Sequence, residues 1–179
     1  HGDVAVAVDV EHGGRLAQIT VDGTDLLIAP PAAGERDGSV AWGSYPMAPW
    51  AGRVRDGVFT WFGVEQRLHL NQDDSGTGAP GRQHAMHGTV LARSWTVDEQ
   101  TTSSITISCD LDEPDIVPGN LGARIGWNLG GITHQRIELL DGQLRCDLSV
   151  SVPPGSAPCP VEIGWHPWWR APDSLSFHP

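Results

Sequence analysis

The sequence predicts an all-β chain, folded as an antiparallel β-sandwich, on three observations. Glycine and proline are frequent, with 22 and 14 residues among 179, and this composition favours turns and short strands. Short runs rich in β-branched residues recur between the turns. Apolar residues never recur at helical spacing for more than about two turns. The length fits one domain, so we expect residues 1–179 to form a single sandwich.

Ten segments have the composition and spacing of strands: residues 4–10, 15–21, 26–28, 58–62, 64–70, 94–97, 104–110, 135–140, 143–152 and 161–165. The dipeptides Asp22-Gly23 and Asp141-Gly142 each lie between two of these strands and indicate β-hairpins. Residues 73–83 are glycine-rich and polar, and residues 112–119 are acidic and contain proline. Both segments predict loops, and loops carried by a sheet are common places for functional sites.

The charge of the chain limits its partners. The formal net charge is −11, from 22 acidic and 11 basic residues, which argues against binding to nucleic acid or to anionic membranes. No apolar run approaches the roughly 20 residues that cross a bilayer, and the first residues lack the pattern of a signal peptide. We therefore expect an acidic, cytoplasmic protein.

Lysine and cysteine usage excludes further classes. All eleven basic residues are arginine, so Schiff-base chemistry, pyridoxal phosphate attachment and a P-loop are excluded within these residues. The three cysteines, Cys109, Cys146 and Cys159, are odd in number, widely spaced and without a CxxC pair. A disulfide framework or a thiolate zinc site is therefore not predicted, and we expect reduced cysteines in the core or on strands.

Arginine and histidine mark two candidate segments. Arg53 and Arg55 alternate just before a predicted hairpin, and His84 and His87 follow the glycine-rich loop. A plain structural interpretation exists for each pair. The arginines would be solvated charges at a strand end, and the histidines would be loop residues in water or the start of a metal site.

His166 has the strongest functional signal. It lies between a predicted strand and Pro167, among Trp165, Trp168 and Trp169, in a chain with eight tryptophans against three phenylalanines and one tyrosine. An imidazole in such a partly apolar setting is suited to proton transfer near pH 7. The tryptophans themselves have a plain interpretation as core residues.

Together these residue types suit a neutral sugar as the small-molecule partner. Aromatic faces pack on the C–H faces of a pyranose, which makes Trp168 a candidate platform, and arginine and imidazole donors hold its oxygens. The sequence does not specify an oligomeric state or which sugar is preferred.

Five motifs in order carry a family resemblance: Gly-Gly-Arg-Leu at 13–16, Pro-x-x-Gly-Arg-Val-x-x-Gly-x-Phe at 49–59, His-x-x-His-Gly at 84–88, Trp95, and Gly-Trp-His-Pro-Trp-Trp at 164–169. Over essentially its whole length the chain resembles the aldose 1-epimerase family. The resemblance implies a galactose mutarotase-like supersandwich. It also implies interconversion of the α and β anomers of a free aldose such as galactose or glucose, without metal or cofactor.

The resemblance also implies roles for individual residues. The family's acid histidine corresponds to His166, and its second histidine, which also contacts the sugar, corresponds to His87. Both histidines are therefore expected to be catalytic residues. The arginine that binds sugar hydroxyls corresponds to Arg53. Gly52 departs from the family, which commonly has asparagine there, so the substrate preference is expected to differ.

The family's sugar-binding aspartate and catalytic glutamate lie well C-terminal to its His-Pro motif. Only residues 170–179 follow that motif here, and Asp173 is too close to His166 in sequence to be either residue. We therefore expect the general base to lie outside this chain, the sandwich to be truncated at its C-terminal end, and the natural protein to continue.

Three alternatives stay open. A relative acting on hexose 6-phosphates would need a cationic pocket, to which Arg55 or Arg82 would contribute. A non-catalytic carbohydrate-binding domain would keep Arg53 and the tryptophans but lack the glutamate. A metal-dependent β-sandwich or cupin-like enzyme would use three histidines as ligands, namely His84, His87 and His166.

Overall fold

A computed structural model describes residues 3–32, 40–73, 83–112 and 126–171. These residues contain fourteen strands and no helix. The strands are β1 (Val4–Asp9), β2 (Arg15–Val21), β3 (Thr24–Asp25), β4 (Ser44–Met47), β5 (Arg53–Arg55), β6 (Val58–Trp61), β7 (Val64–Arg67), β8 (Gln72–Asp73), β9 (Gln83–Met86), β10 (Thr96–Gln100), β11 (Ser104–Asp110), β12 (Ile132–Leu140), β13 (Gln143–Ser151) and β14 (Gly164–Pro167).

Two larger sheets and two smaller ones are built from these strands. The five-stranded sheet has the order β1-β2-β4-β14, with β3 also paired to β2, and the four-stranded sheet has the order β10-β11-β12-β13. The smaller sheets are β5-β9-β8 and the hairpin β6-β7. All strand pairings are antiparallel, which confirms the predicted class.

The two larger sheets pack face to face. Leu16 and Ile19 of β2 form one core cluster with Ile137 of β12, and partly buried apolar residues of β1, β11 and β13 pack against it. A second and larger cluster contains three buried tryptophans together with Ile107 of β11. Burial alternates along β13, as expected for a strand with one face on the core. This arrangement is the predicted β-sandwich.

The hairpins expected after Arg55 and at Asp141-Gly142 are confirmed as the pairs β6-β7 and β12-β13, and two strand assignments need correction. The predicted strands at 94–97 and 104–110 correspond to β10 and β11, which pair with each other. Residues 26–28 are not a strand, because the segment after the Asp22-Gly23 turn pairs with β2 over only Thr24–Asp25. The last strand is Gly164–Pro167 rather than 161–165, because its partner is β4. All four residues of β4 are buried, so β4 lacks the alternation that reveals a strand.

Several other expectations can be placed. His84 lies on strand β9 rather than in a loop. The three cysteines are free, as predicted. Within the described ranges no helix is long and apolar enough to cross a membrane. Arg82, Asp173 and the predicted loop beyond residue 112 lie outside the described residues.

A buried glutamine joins the two larger sheets behind the tryptophan-rich segment. Gln135 is completely buried, and its amide accepts a hydrogen bond from Trp165 Nε1 at 2.6 Å and donates one to the carbonyl of Gly14 at 2.6 Å. Both partners belong to the opposite sheet or the turn before it. Hydrogen bonds of this kind are costly to leave unmade inside a core.

We expect Gln135→Leu to lower the free energy of unfolding by roughly 2–4 kcal/mol, since it leaves a donor and an acceptor unpaired in the interior. Urea denaturation at an unchanged m-value measures the loss. Gln143→Leu, at an exposed strand end, is the matched control and should change stability by less than about 0.5 kcal/mol. Equal effects from the two substitutions would contradict the structural role of Gln135.

Candidate functional site

Strand β14 places His166 in the site by pairing with β4. His166 lies directly opposite Tyr45 in this ladder. Just beyond β14, Trp168 is held by two backbone hydrogen bonds, from its amide to Gly43 and from the amide of Ile28 to its carbonyl, each 2.8 Å long. The strand and its continuation are therefore fixed to the five-stranded sheet on both sides of Pro167.

The end of β9 places His87 beside it. The amide of His87 donates a 2.9 Å hydrogen bond to the carbonyl of Gly52, and Gly88 forms an isolated parallel bridge with Ala48. Ala48 directly follows β4, so this bridge connects the β5-β9-β8 sheet to the five-stranded sheet. Two histidines that are 79 positions apart in the sequence thereby reach the same place.

The two imidazoles meet edge to face. Their ring centroids are 5.2 Å apart with an interplanar angle of 68°. The imidazole of His166 also stacks on the ring of Tyr45, at 5.1 Å and 15°, and on Trp168, at 5.2 Å and 21°. The Nδ1 atoms of both histidines are buried without a hydrogen-bond partner among the described residues. The pair therefore has polar capacity that the described protein does not use.

His87 is electrically neutral at pH 7 in the folded protein. Its side chain is buried, and this burial is the main cause that lowers its pKa from 6.5 to about 4; neighbouring His166 and Arg53 lower the pKa further. Its backbone has a φ of 62°, in the left-handed region that costs a non-glycine residue about 1–2 kcal/mol. Burial and strain of this kind cluster at functional sites.

The lowered pKa of His87 predicts a pH dependence of stability. Between pH 4 and 6.5 the unfolded chain binds a proton on this residue that the folded chain does not, so the unfolding free energy rises with pH. The stabilisation is complete above pH 6.5 and is lost as the pH falls towards 4. We expect this histidine to account for on the order of 3 kcal/mol across that range.

The measurement is urea denaturation between pH 4 and 7 for the wild-type protein and for His87→Asn. Asparagine tolerates a positive φ and does not titrate, so the difference between the two pH curves isolates the imidazole. The variant should lose less stability on acidification. Parallel curves would show that His87 does not titrate with a lowered pKa.

Arg53 borders the histidine pair from strand β5. It pairs with Met86, the residue before His87, and its side chain is exposed. Its Nε donates a hydrogen bond to Oε1 of Gln72 on β8. The side-chain amide of Asn71 holds the backbone of Met86, since its oxygen accepts from the Met86 amide at 2.7 Å and its nitrogen donates to the Met86 carbonyl at 3.0 Å. A short polar segment therefore fixes both the arginine and the strand end that carries His87.

The structure brings most of the predicted site residues together. The ring of His166 contacts both His87 and Trp168. Arg53 lies on the strand next to them, paired with Met86. Arg55 and His84 are paired with each other two residues further along the same two strands. Within the described part of the chain, no group of three histidine, cysteine, aspartate or glutamate side chains is arranged to hold a metal ion.

The sequence interpretation missed two residues of the site. Tyr45 is the single tyrosine of the chain and stacks on His166, but it lies on β4, whose sequence has no strand signal. Gln72, the partner of Arg53, lies at the edge of the glycine-rich segment and has no local signal. Four of the eight tryptophans are buried core residues, in line with their plain interpretation: Trp42, Trp50, Trp95 and Trp127.

Comparison with known proteins finds a matching family and one curated relative. The model of the family described as aldose 1-epimerase matches residues 1–177. YihR, an uncharacterized protein of Escherichia coli (strain K12), is 25% identical over 162 residues, which are 90% of this chain and 46% of that protein. The chain thus spans about half the length of this relative.

Solved structures share the fold at low sequence identity. The Slr1438 protein from Synechocystis sp. PCC 6803 superposes with a TM-score of 0.71 at 16% identity, covering 97% of this chain and 53% of that one. A galactose mutarotase related enzyme from Lactobacillus acidophilus superposes with a TM-score of 0.67 at 16% identity, covering 99% and 50%. These similarities support the fold.

The antiparallel β-sandwich places the chain in the mutarotase-like fold class. The chain belongs to the aldose 1-epimerase family.

Proposed function

We propose that the protein containing this chain is an aldose 1-epimerase that interconverts the α and β anomers of a free aldose such as galactose or glucose. The observation that carries the proposal is the contact between the imidazoles of His87 and His166, with centroids 5.2 Å apart and a buried, unpartnered Nδ1 on each ring. The family membership of the chain supports it. A sugar partner, a cytoplasmic location and the absence of a nucleic-acid partner stay predictions from the sequence.

In the proposed reaction, His166 donates a proton to the ring oxygen of the sugar while a base removes the proton of the C1 hydroxyl. The bond between C1 and the ring oxygen breaks, and the C1 oxygen becomes a carbonyl. Rotation about the C1–C2 bond and reversal of the two proton transfers close the other anomer. Each transfer needs its group within hydrogen-bond reach of the sugar. The family resemblance implies that this base is a glutamate.

The neutral state of His87 supports a different role for it. With a pKa of about 4 it carries no spare proton at pH 7, so it serves as a hydrogen-bonding contact to the sugar. The proposal therefore assigns the acid role to His166 and the binding role to His87. The strained backbone of His87 supports the same conclusion, since strain is retained where a side chain must point in one direction.

Arg53 and Trp168 complete the proposed sugar site. The guanidinium is oriented by Gln72 and exposed, so it offers donors to hydroxyl groups. The half-buried indole of Trp168 stacks on His166 and offers an aromatic face next to the proposed acid. Gly52 leaves open space beside Arg53, with no heavy atom within 4 Å of an added Cβ. This space is consistent with a substrate preference that differs from that of relatives with asparagine there.

Polarimetry on freshly dissolved α-D-galactose and α-D-glucose tests the proposal with the full-length protein. We expect the rotation to change faster than in buffer and to reach the same final value, since a catalyst does not alter the equilibrium. No acceleration for any common aldose, combined with measurable sugar binding, would favour a non-catalytic carbohydrate-binding domain. Acceleration only with hexose 6-phosphates would move the substrate class to phosphorylated sugars.

A further inference from the structure

A row of four side chains crosses the five-stranded sheet and ends at His166. Asp9 on β1 is paired with Arg15 on β2, and Tyr45 on β4 is paired with His166 on β14. The pairing of β2 with β4 sets Arg15 beside Tyr45. Because β4 lies between β2 and β14, the ring of Tyr45 lies between the guanidinium and the imidazole.

The guanidinium of Arg15 is held rigidly. The residue is 1% exposed, and it donates hydrogen bonds to the carbonyls of His12, Leu91 and Trp42 at 2.7, 3.1 and 3.2 Å. Its Cζ lies 4.1 Å from the ring centroid of Trp42 and 5.1 Å from that of Tyr45. The planar guanidinium therefore has little freedom to rotate, because three hydrogen bonds fix its nitrogen atoms and two aromatic rings pack against it.

Arg15 carries its charge at a buried position. Burial lowers the pKa of Arg15 to about 10, against the opposing influence of Tyr45 and Asp9, so the charged form is held at a cost. Hydrogen bonds to three carbonyls offset part of this cost, and a side chain without the guanidinium would leave those carbonyls without their donor. The position therefore has a reason for its arginine beyond filling space.

We propose that Arg15 is a positioning residue for His166, acting through Tyr45. The guanidinium fixes the ring of Tyr45, and this ring, stacked at 15° on the imidazole, fixes the plane in which His166 presents its nitrogen atoms. The inference rests on the proposed function, because the positioned group is the proposed acid. Orientation of a catalytic group influences kcat more than substrate affinity.

Arg15→Met tests the proposal in the full-length protein by kinetics and NMR. Methionine keeps a long apolar side chain but has no planar cation. We expect kcat to fall about 10- to 100-fold, with KM changed less than about threefold. The ring-proton signals of His166, shifted by the stacked rings, should move towards those of a free imidazole. Unchanged kcat and unchanged His166 signals would overturn the proposal.

Arg15→Lys separates the effect of the positive charge from that of the planar guanidinium. Lysine keeps the positive charge but cannot bind three carbonyls with a planar fork, so kcat should stay low. Full activity in this variant would show that the site needs only a buried charge, and the positioning role would be wrong. If Arg15→Met does not fold, Arg15→Lys carries the same two measurements.

A double-mutant cycle tests the route through Tyr45. If Arg15 acts only by fixing this ring, Arg15→Met should lower kcat no further once Tyr45→Leu is present. Additive losses would mean that Arg15 acts independently of Tyr45 and would overturn the proposal.

A control for general destabilisation is Ile137→Ala, in the core cluster between the two larger sheets. It should lower the melting temperature while leaving kcat and the His166 signals unchanged. The NMR measurement needs no turnover, so it stands even if the wild-type protein proves inactive on aldoses. Failure of the proposed function and failure of the positioning role are thereby distinguished.

Discussion

Replacing His166 with glutamine is expected to lower kcat for anomer interconversion about 10²–10⁴-fold, the usual contribution of one proton-transferring group. KM should change only a few-fold, because the glutamine amide still forms hydrogen bonds and has a similar planar shape. The fall in kcat is expected because the glutamine amide, unlike an imidazole, has no proton to give at neutral pH. Polarimetric rates at several aldose concentrations separate the two constants.

His134→Gln is the matched control for this experiment. His134 lies on β12 of the opposite sheet, where its Nε2 is hydrogen-bonded to Ser151 at 3.0 Å. The same substitution there should leave both kinetic constants unchanged. If His166→Gln retains kcat within about threefold of the wild-type value, the acid role belongs to another residue, and His87→Gln is the next variant to measure.

The hairpin β12-β13 follows from local sequence, whereas strand β4, inside the five-stranded sheet, does not. The pair β12-β13 could be predicted because Asp141-Gly142 forms a tight turn between two long alternating segments. Strand β4 has no such signal, since every residue from Ser44 to Met47 is buried and proline interrupts the run. Its existence depends on two partners, β2 and β14, that lie far away in sequence.

The candidate site shows the same division. His166 could be predicted from its place between a strand and Pro167 among tryptophans, and the resemblance to the family points to His87. Tyr45 and Arg15 could not be, since their relation to His166 is a matter of register across three strands. A one-residue slip of that register would send these side chains to the other face of the sheet. Pairwise contact, rather than local composition, defines this part of the site.

A strained backbone lies at the joint between the two sheets that carry the histidines. His87 holds a positive φ that asparagine or glycine would adopt at lower cost, and the adjacent Gly88 has a φ of 82°. The fold keeps the histidine despite that cost. This is the pattern expected where a side chain is retained for its chemistry rather than for its contribution to stability.

Among the substitutions considered, Gly88→Ala is expected to lower the free energy of unfolding most, by about 3–5 kcal/mol. An added Cβ would overlap the carbonyl carbon and oxygen of Ala48 and lie 2.9 Å from its nitrogen, all of them backbone atoms that cannot rotate away. Relief requires breaking the Ala48–Gly88 bridge and the 2.8 Å hydrogen bond from the amide of Thr89 to Ala48. His87 would then move away from His166, so activity and stability should fall together.

Gly142→Ala separates this close approach from the general cost of a positive φ. Gly142 has a φ of 69° in the β12-β13 hairpin, and no heavy atom lies within 4 Å of an added Cβ. Its substitution should cost only about 1 kcal/mol in urea denaturation and leave the polarimetric rate unchanged. Similar losses from the two alanine variants would mean that the contact between Gly88 and Ala48 does not hold the two histidines together. A larger loss confined to Gly88→Ala would make that glycine the joint on which the His87–His166 contact depends.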